Sequence, residues 1–332
     1  MRERKMLWGI LVTAVFAPAC GAGVTLKELQ ALDEKPQEMV YRTVGRRKLH
    51  VQVYRPKGHK PTDRRAAVVT IHGGGWTSPG PFHFVPHCRY FASRGAVAVN
   101  VEYRLVTPGA VRILDCISDC KAAVRFVRAH ADKLGVDPNR IAVAGDSAGG
   151  HLAACTGMLP DLDKPEEHKD VSSRADAMVL YNPSVDLPAL PWMNAGRDGI
   201  KPRPGTTPPK GETWKDRAKK VSPIYYVKKG LPPALLIHGT ADGCVPIEQI
   251  DRFDKALKAA GNRCDYRRMK GWKHAFMILP PYGTEQTIVE TLRMTDEFLA
   301  SLGYLKGKPT IVVGQSPATK PKDKAKPGEK SS

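Results

Sequence analysis

The residues best placed to act together on an acyl group lie in four short stretches. Ser147 stands in Gly145-Asp146-Ser147-Ala148-Gly149-Gly150, with the apolar run Ile141–Ala144 before it and a helical pattern after it. A G-x-S-x-G turn between strand and helix pushes the serine Oγ clear of the backbone, and small neighbours permit the crowding. A serine hydroxyl is a weak nucleophile; it needs a base within hydrogen-bond reach and a carboxylate that holds the base in the right tautomer. Of the ten histidines, His274 fits: it lies in the loop Gly271–Phe276, after the last clear strand and downstream of an acid at a strand end. His72 and His238 end strands, where they brace backbone, and His151 points along the helix that follows Ser147. The acid is Asp242, at the end of the strand preceding the His274 strand. Asp186, after the strand next to Ser147, is its rival, whereas Asp265 begins a strand and turns away.

The fourth stretch is His72-Gly73-Gly74-Gly75-Trp76, which follows the continuous apolar strand Ala66–Ile71. Glycines in series let backbone N–H groups turn toward a common point, and in acyl transfer one such donor to the oxyanion contributes roughly 3 kcal/mol. The amides of Gly74, Gly75 and Ala148 are the expected oxyanion hole. Trp76 either packs the loop or touches substrate. His83 and His87 follow, but neither Cys nor acid completes a metal set with them, so they are read as surface or rim residues. None of this chemistry needs a metal or organic cofactor.

The elements that must position these groups alternate. Val40–Val44 and Leu49–Tyr54 read as strands around a turn at residues 45–47, after a polar, partly helical approach over residues 24–40. Residues 55–65 form a Pro- and charge-rich loop. Then come the strands Ala66–Ile71 and Ala96–Val101, a helix over Leu114–Leu134 with Ile117, Cys120, Val124, Val127 and Ala131 on its inner face, and the strand that leads into Ser147. The strands Ala177–Tyr181, Ala234–Ile237 and Tyr266–Met269 and the helices Ile247–Ala260 and Glu285–Leu302 complete a βα order, which argues for a mostly parallel sheet flanked by helices. Between residues 182 and 220 seven prolines block regular structure, so this stretch reads as an excursion that returns over the carboxyl edge of the sheet. There Trp192, Met193 and Trp214 either line a substrate pocket or pin the loop.

Charge and cysteine content narrow the class. The first 22 residues read as a secretory signal peptide, with a basic start (Arg2, Arg4, Lys5), an apolar run Met6–Phe16 and Ala17-Pro18-Ala19. This implies export, with lipid attachment through Cys20 a weaker alternative, and no later stretch is long and apolar enough to span a bilayer. The formal charge is +19; residues 306–332, a basic tail expected to be disordered, hold five of these charges and the leader two, which leaves +12 on the domain over residues 23–305. No aromatic-interleaved basic cluster and no zinc-finger spacing points to nucleic acid. Besides Cys20, the six cysteines Cys88, Cys116, Cys120, Cys155, Cys244 and Cys264 follow no recognisable disulfide framework, and Cys155 reads as a small core residue.

Taken together, HGGGW (72–76), EYRL (102–105), DCKAAVRFVRAHADKLGVDPNRIAVAGDSAGGHLAA (119–154), HGTADGCVPIEQ (238–249) and GWKHAF (271–276) resemble the α/β-hydrolase esterases of the hormone-sensitive-lipase-like type, and most closely the bacterial acetyl-xylan and feruloyl esterases. The resemblance covers about residues 40–303 and implies an α/β-hydrolase fold without a large cap domain. It implies a serine carboxylesterase working through an acyl-enzyme, with Ser147, Asp242 and His274 as triad and Gly74, Gly75 and Ala148 as oxyanion hole. Lipase-like members carry a helical cap built from a longer N-terminal segment. Only short polar sequence precedes the first strand here, which favours short acyl groups, including acetyl or feruloyl esters of plant polysaccharide, over long-chain lipids. A serine peptidase of the prolyl-oligopeptidase type shares the Ser-Asp-His order, but the HGGGW loop and the lack of a propeller domain argue against it. A non-catalytic binding protein of the same fold would typically lack a triad member, and all three are present. Small-molecule or polysaccharide esters are thus the expected partners, and the oligomeric state is left open.

Overall fold

A computed structural model describes residues 23–33, 35–78, 80–160, 170–193, 198–202 and 209–314. The expected leader at residues 1–22 and the end of the expected tail, residues 315–332, lie outside them.

In chain order the elements are β1 (Val24–Thr25), α1 (Leu26–Ala31), β2 (Gln37–Val44), β3 (Arg47–Tyr54), β4 (Arg65–Ile71), α2 (Val85–Ser93), β5 (Val97–Val101), α3 (Ile113–Ala129), α4 (Ala131–Leu134), β6 (Val136–Asp146), α5 (Ser147–Met158), β7 (Ala177–Tyr181), α6 (Trp214–Lys219), β8 (Ala234–Gly239), α7 (Ile247–Ala259), β9 (Cys264–Met269), α8 (Glu285–Ser301) and β10 (Ile311–Val312). Eight strands form one sheet in the order β2-β3-β5-β4-β6-β7-β8-β9. The pairings β2–β3 and β3–β5 are antiparallel, and every later pairing is parallel. The chain thus crosses from β5 past β4 to β6, and the strand order reverses beside β4 and β6. Loops leaving the carboxyl ends of strands at such a point diverge and leave a crevice.

The central strands β4, β5, β7 and β8 are almost wholly apolar because both sheet faces are covered there, whereas the edge strands β2 and β9 alternate with polar residues. Successive residues point to opposite faces. Ala67, Val69, Ile71, Val97, Val99, Ile141, Val143, Met178, Leu180, Ala234 and Leu236 pack with the inner faces of α3, α5 and α7. Their neighbours Val68, Ala98, Ala142, Ala144, Ala177, Val179, Leu235 and Ile237 pack with α1, α2 and α8. The Arg104 of EYRL belongs to this scaffold: its guanidinium grips the fully buried Asp119 of α3 through Nε at 2.7 Å and Nη2 at 2.9 Å, and Arg42 of β2 adds a third contact at 2.9 Å.

Several expectations change. The excursion over residues 182–220 is not wholly irregular: Thr213 and Asp216 cap the short helix α6, the Thr213 Oγ1 accepting from the Asp216 amide at 3.2 Å. The expected disordered tail begins too early at residue 306, because β10 pairs in parallel with β1 and the Arg293 Nε donates to the Ile311 carbonyl at 3.0 Å. The helix expected over residues 114–134 divides near His130, and the second part ends at Gly135 in the left-handed conformation. Among the described residues all six cysteines are free, with five of them buried and Cys244 exposed. No helix of the described residues is long and apolar enough to cross a membrane.

Candidate active site

β4, β6, β8 and β9 end at one edge of the sheet, and their loops deliver the chemistry-bearing residues. β6 runs directly into α5, and the junction residue Ser147 takes φ +51°. A side chain in that left-handed region costs of order 1–3 kcal/mol, and such strain persists only where surrounding structure imposes it. Here β6 is locked between β4 and β7, while α5 is packed against α3. The strain holds Oγ at the tip of the turn.

His274 reaches that hydroxyl from the loop after β9, with Nε2 2.9 Å from Ser147 Oγ. Its other ring nitrogen, Nδ1, lies 2.7 Å from Asp242 Oδ2. An ionised carboxylate only accepts, so Nδ1 carries the proton and Nε2 presents a lone pair to the serine hydroxyl. Asp242 follows β8. Its Oδ1 accepts the amides of Cys244 and Val245, both at 2.8 Å, and this turn fixes the carboxylate with no exposed side-chain surface. Burial opposes its charge, but the hydrogen bond and charge of His274, the Val245 amide and the neighbouring His238 more than offset this and hold the carboxyl below its ordinary value. The His238 Nε2 donates to the Val245 carbonyl at 3.0 Å and lies 3.6 Å from Asp242 Oδ2, bracing the acid loop rather than the nucleophile.

The glycine loop crosses in front of Ser147. Gly74 sits at φ +101°, and a Cβ there would lie 2.8 Å from the Ser78 carbonyl oxygen, so a side chain is excluded twice over. Among the described residues no acceptor takes the amides of Gly74, Gly75 or Ala148. The Ala148 amide belongs to the first turn of α5, where backbone N–H groups have no intrahelical partner and favour negative charge. A hydroxyl activated by a base, facing free amides, can form and stabilise a tetrahedral oxyanion.

Three supports of this loop escape sequence reasoning. The Gly73 amide donates to the buried Asp146 Oδ1 at 2.7 Å, joining the loop to the residue before the nucleophile. Tyr103 of EYRL stacks on His72 with ring centroids 4.4 Å apart and donates its hydroxyl to the His72 carbonyl at 2.9 Å. The Trp76 Nε1 donates to His151 Nδ1 at 3.2 Å, while His151 Nε2 donates to the Val221 carbonyl at 2.6 Å, and burial pushes the His151 pKa down to about 4. Asp146 and Tyr103 lie inside motifs visible in the sequence; their partners are remote in the chain, so only the fold reveals the contacts.

Other sequence candidates fall elsewhere. Trp76 is 1% exposed, so its side chain is core and not substrate-facing. Trp192 is half-buried, lies 6.0 Å from Trp76 between ring centroids, and donates Nε1 to the Cys244 carbonyl at 2.9 Å, which ties the excursion to the acid loop. Trp214 opens α6 and packs partly against the core, so it pins the excursion. Asp186 is bound by Arg252 at 2.9 Å and by the Tyr225 hydroxyl at 3.2 Å, away from His274. His87 is not a rim residue: α2 buries it completely against the sheet, beside Phe84 and Tyr181, and burial lowers its pKa to about 3.

Comparison with known proteins adds a family. The BD-FAE family matches residues 51–257. Esterase LipC of Mycobacterium tuberculosis is 30% identical over 66% of the chain and 55% of its own length, and carboxylesterase NlhH of the same organism is 38% identical over 55% and 64%. The chain therefore spans little more than half to just under two thirds of these curated relatives. Among solved structures, Thermogutta terrifontis esterase 2 phosphorylated by paraoxon superposes with a TM-score of 0.72 at 42% identity, over 82% of this chain and 96% of that one. Other structures of the same esterase are propionate-bound and butyrate-bound.

Proposed function

Because the chain belongs to the BD-FAE family and shares the α/β-hydrolase fold of esterases, we propose that it is an exported serine carboxylesterase for short-acyl esters, with acetyl or feruloyl groups on plant polysaccharide as the substrate class. The observation that carries the reading is the continuous line from Asp242 Oδ2 through His274 to Ser147 Oγ, with contacts of 2.7 and 2.9 Å, in front of unpaired amides. Ser147 attacks the ester carbonyl while His274 Nε2 takes its proton. The amides of Gly74, Gly75 and Ala148 receive the oxyanion, Asp242 stabilises the imidazolium, and His274 protonates the departing alcohol. Water then repeats the sequence on the acyl-enzyme and releases the acid.

Short acyl groups are favoured because the described N-terminal residues run beside α2 and α8 instead of folding over the carboxyl edge: α1 packs in the core layer of α2 and α8, and the Arg89 Nη1 donates to the Leu29 and Gln30 carbonyls at 3.0 and 2.9 Å. The propionate- and butyrate-bound structures of the Thermogutta esterase support the same range. Export rests on the composition of residues 1–22.

The test is hydrolysis of p-nitrophenyl acetate, butyrate and octanoate, and acetate release from acetylated xylan, by the protein and its Ser147→Ala form. Paraoxon is expected to inactivate the protein with one phosphoryl group bound at Ser147. Preference for acetate and xylan, lost with Ser147, supports the reading. Turnover of octanoate above acetate removes the short-acyl assignment, and a protein inert on every ester removes the esterase assignment.

A further inference from the structure

The turn that fixes Asp242 also folds Cys244 back over the carboxylate. Because Asp242 Oδ1 takes the Cys244 and Val245 amides at 2.8 Å each, the chain reverses within three residues and leaves Cys244 exposed at the mouth of the acid loop. One ligand atom each from Asp242, Cys244 and His274 then lies within 4.8 Å of the other two. These are a carboxylate oxygen, a sulfur and an imidazole nitrogen, the donor types that bind zinc. A tetrahedral zinc with bonds of about 2.0–2.3 Å sets its donors about 3.5 Å apart, so small side-chain rotations close the set. Three protein ligands with a fourth position open to solvent suit a borderline or soft divalent cation.

We propose that Asp242, Cys244 and His274 form an inhibitory site for zinc and similar thiophilic divalent cations, resting on the reading of His274 as the base of Ser147. The cation enters from the exposed Cys244 side, because the Asp242 side chain has no exposed surface. It forms bonds to Cys244 Sγ, His274 Nδ1 and Asp242 Oδ2, and it breaks the hydrogen bond now spanning 2.7 Å between the last two. The thiol proton leaves to solvent. The Nδ1 proton moves to Nε2, so the imidazole stays neutral and turns an N–H toward Ser147 Oγ in place of a lone pair. Such a histidine cannot accept the serine proton. The metal is thus no part of the reaction and stops it by imposing the wrong tautomer. His238, which faces the same carboxylate at 3.6 Å, gives its Nε2 proton to the Val245 carbonyl and is not part of the set.

The experiment titrates the full chain with cadmium and reads the ultraviolet thiolate-to-cadmium charge-transfer band, beside ester hydrolysis in the presence of zinc, for the protein and its Cys244→Ser form. The expected result is a saturable band that Cys244→Ser abolishes, and zinc inhibition that a chelator reverses and that needs roughly tenfold or more zinc in the variant. Cys244→Ser keeps the backbone amide that the Asp242 turn uses, and zinc inhibition is read in each form against its own metal-free rate. A band absent from the native chain or unchanged in the variant overturns the site, and equal zinc sensitivity in both forms overturns its inhibitory role. The band is read without turnover, so a chain inert on esters counts against the proposed function while the site is still tested.

Discussion

The carboxylate of Asp146 and the backbone amide of Gly73 meet at 2.7 Å in a wholly buried contact, which couples the residue before the nucleophile to the loop that carries the free amides. The two segments are remote in sequence, yet parallel pairing of β4 with β6 brings Ile71 opposite Gly145, so each leaves the sheet at the same height. A displacement of either is passed to the other through this bond. Burial, only partly offset by the Gly73 amide and by the charge of His274, raises the Asp146 pKa from 3.8 to about 6.

This gives a pH prediction. An acid whose pKa is raised by folding adds stability that is whole below its unfolded value, 3.8, and is lost as the pH rises through about 6. Asp146→Asn keeps an oxygen for the Gly73 amide and removes the titration. Relative to the native chain, its stability is expected to rise between about pH 4 and pH 7, by about 3 kcal/mol if the full displacement is expressed. Urea unfolding of both forms across that range measures it; parallel curves would refute the raised pKa.

The two candidate acids separate by mutation. Asp242→Asn puts an amide opposite His274 Nδ1 and favours the tautomer that cannot accept the serine proton, so kcat is expected to fall about ten-thousandfold. Asp186→Asn weakens contacts to Arg252 and Tyr225 and is expected to change kcat by less than about threefold, because both of these contacts lie away from His274, even though the buried site loses stability. Steady-state kinetics on p-nitrophenyl acetate decide between them. Comparable losses in the two variants would return Asp186 to the site.

What could be read in the sequence and what could not divide along a physical line. Ser147, Asp242 and His274 were legible because each sits at a junction that local pattern reveals: an apolar run, then a small-residue turn or an acid. The strands β4, β5, β7 and β8 were legible because burial on both faces makes them almost continuously apolar. Pairings between distant side chains leave no local trace, so the Asp146–Gly73 bond and the His151 contacts were invisible. His87 misled because a histidine with no completing ligand in sequence gave no local reason for burial, and α2, which the sequence did not reveal, buries it against the facing sheet. The early boundary of the tail arose because Ile311-Val312 is too short a run to signal a strand without its partner, Val24-Thr25.

Trp76 provides a test of packing against substrate contact. Trp76→Phe preserves the aromatic bulk but leaves His151 Nδ1 without its donor, and a buried polar atom deprived of its partner costs about 1–3 kcal/mol. The variant is expected to unfold at lower denaturant while its KM for short esters stays within about twofold of the native value, since 1% exposure leaves no face for substrate. A large KM increase with unchanged stability would return Trp76 to the substrate pocket.

Gly149 tests how closely the turn must approach the sheet. A Cβ at this position would run into the Ile71 carbonyl oxygen and lie 2.5 Å from that of His72, and both are backbone atoms fixed by β4 or its exit loop. No rotamer relieves such a clash; either α5 moves off the sheet or the glycine loop moves away from Ser147. Overpacking of this kind costs about 3 kcal/mol. Gly149→Ala is therefore expected to lower both the denaturation midpoint and kcat, because the same displacement separates the loop amides from the nucleophile. Gly261→Ala is the control for a glycine whose Cβ would meet open space: its φ of +77° strains the helix end, but the site is untouched. It is expected to lose stability with kcat preserved. If both variants lost stability alone, the close approach of Gly149 to β4 would serve folding and not the alignment of the oxyanion donors.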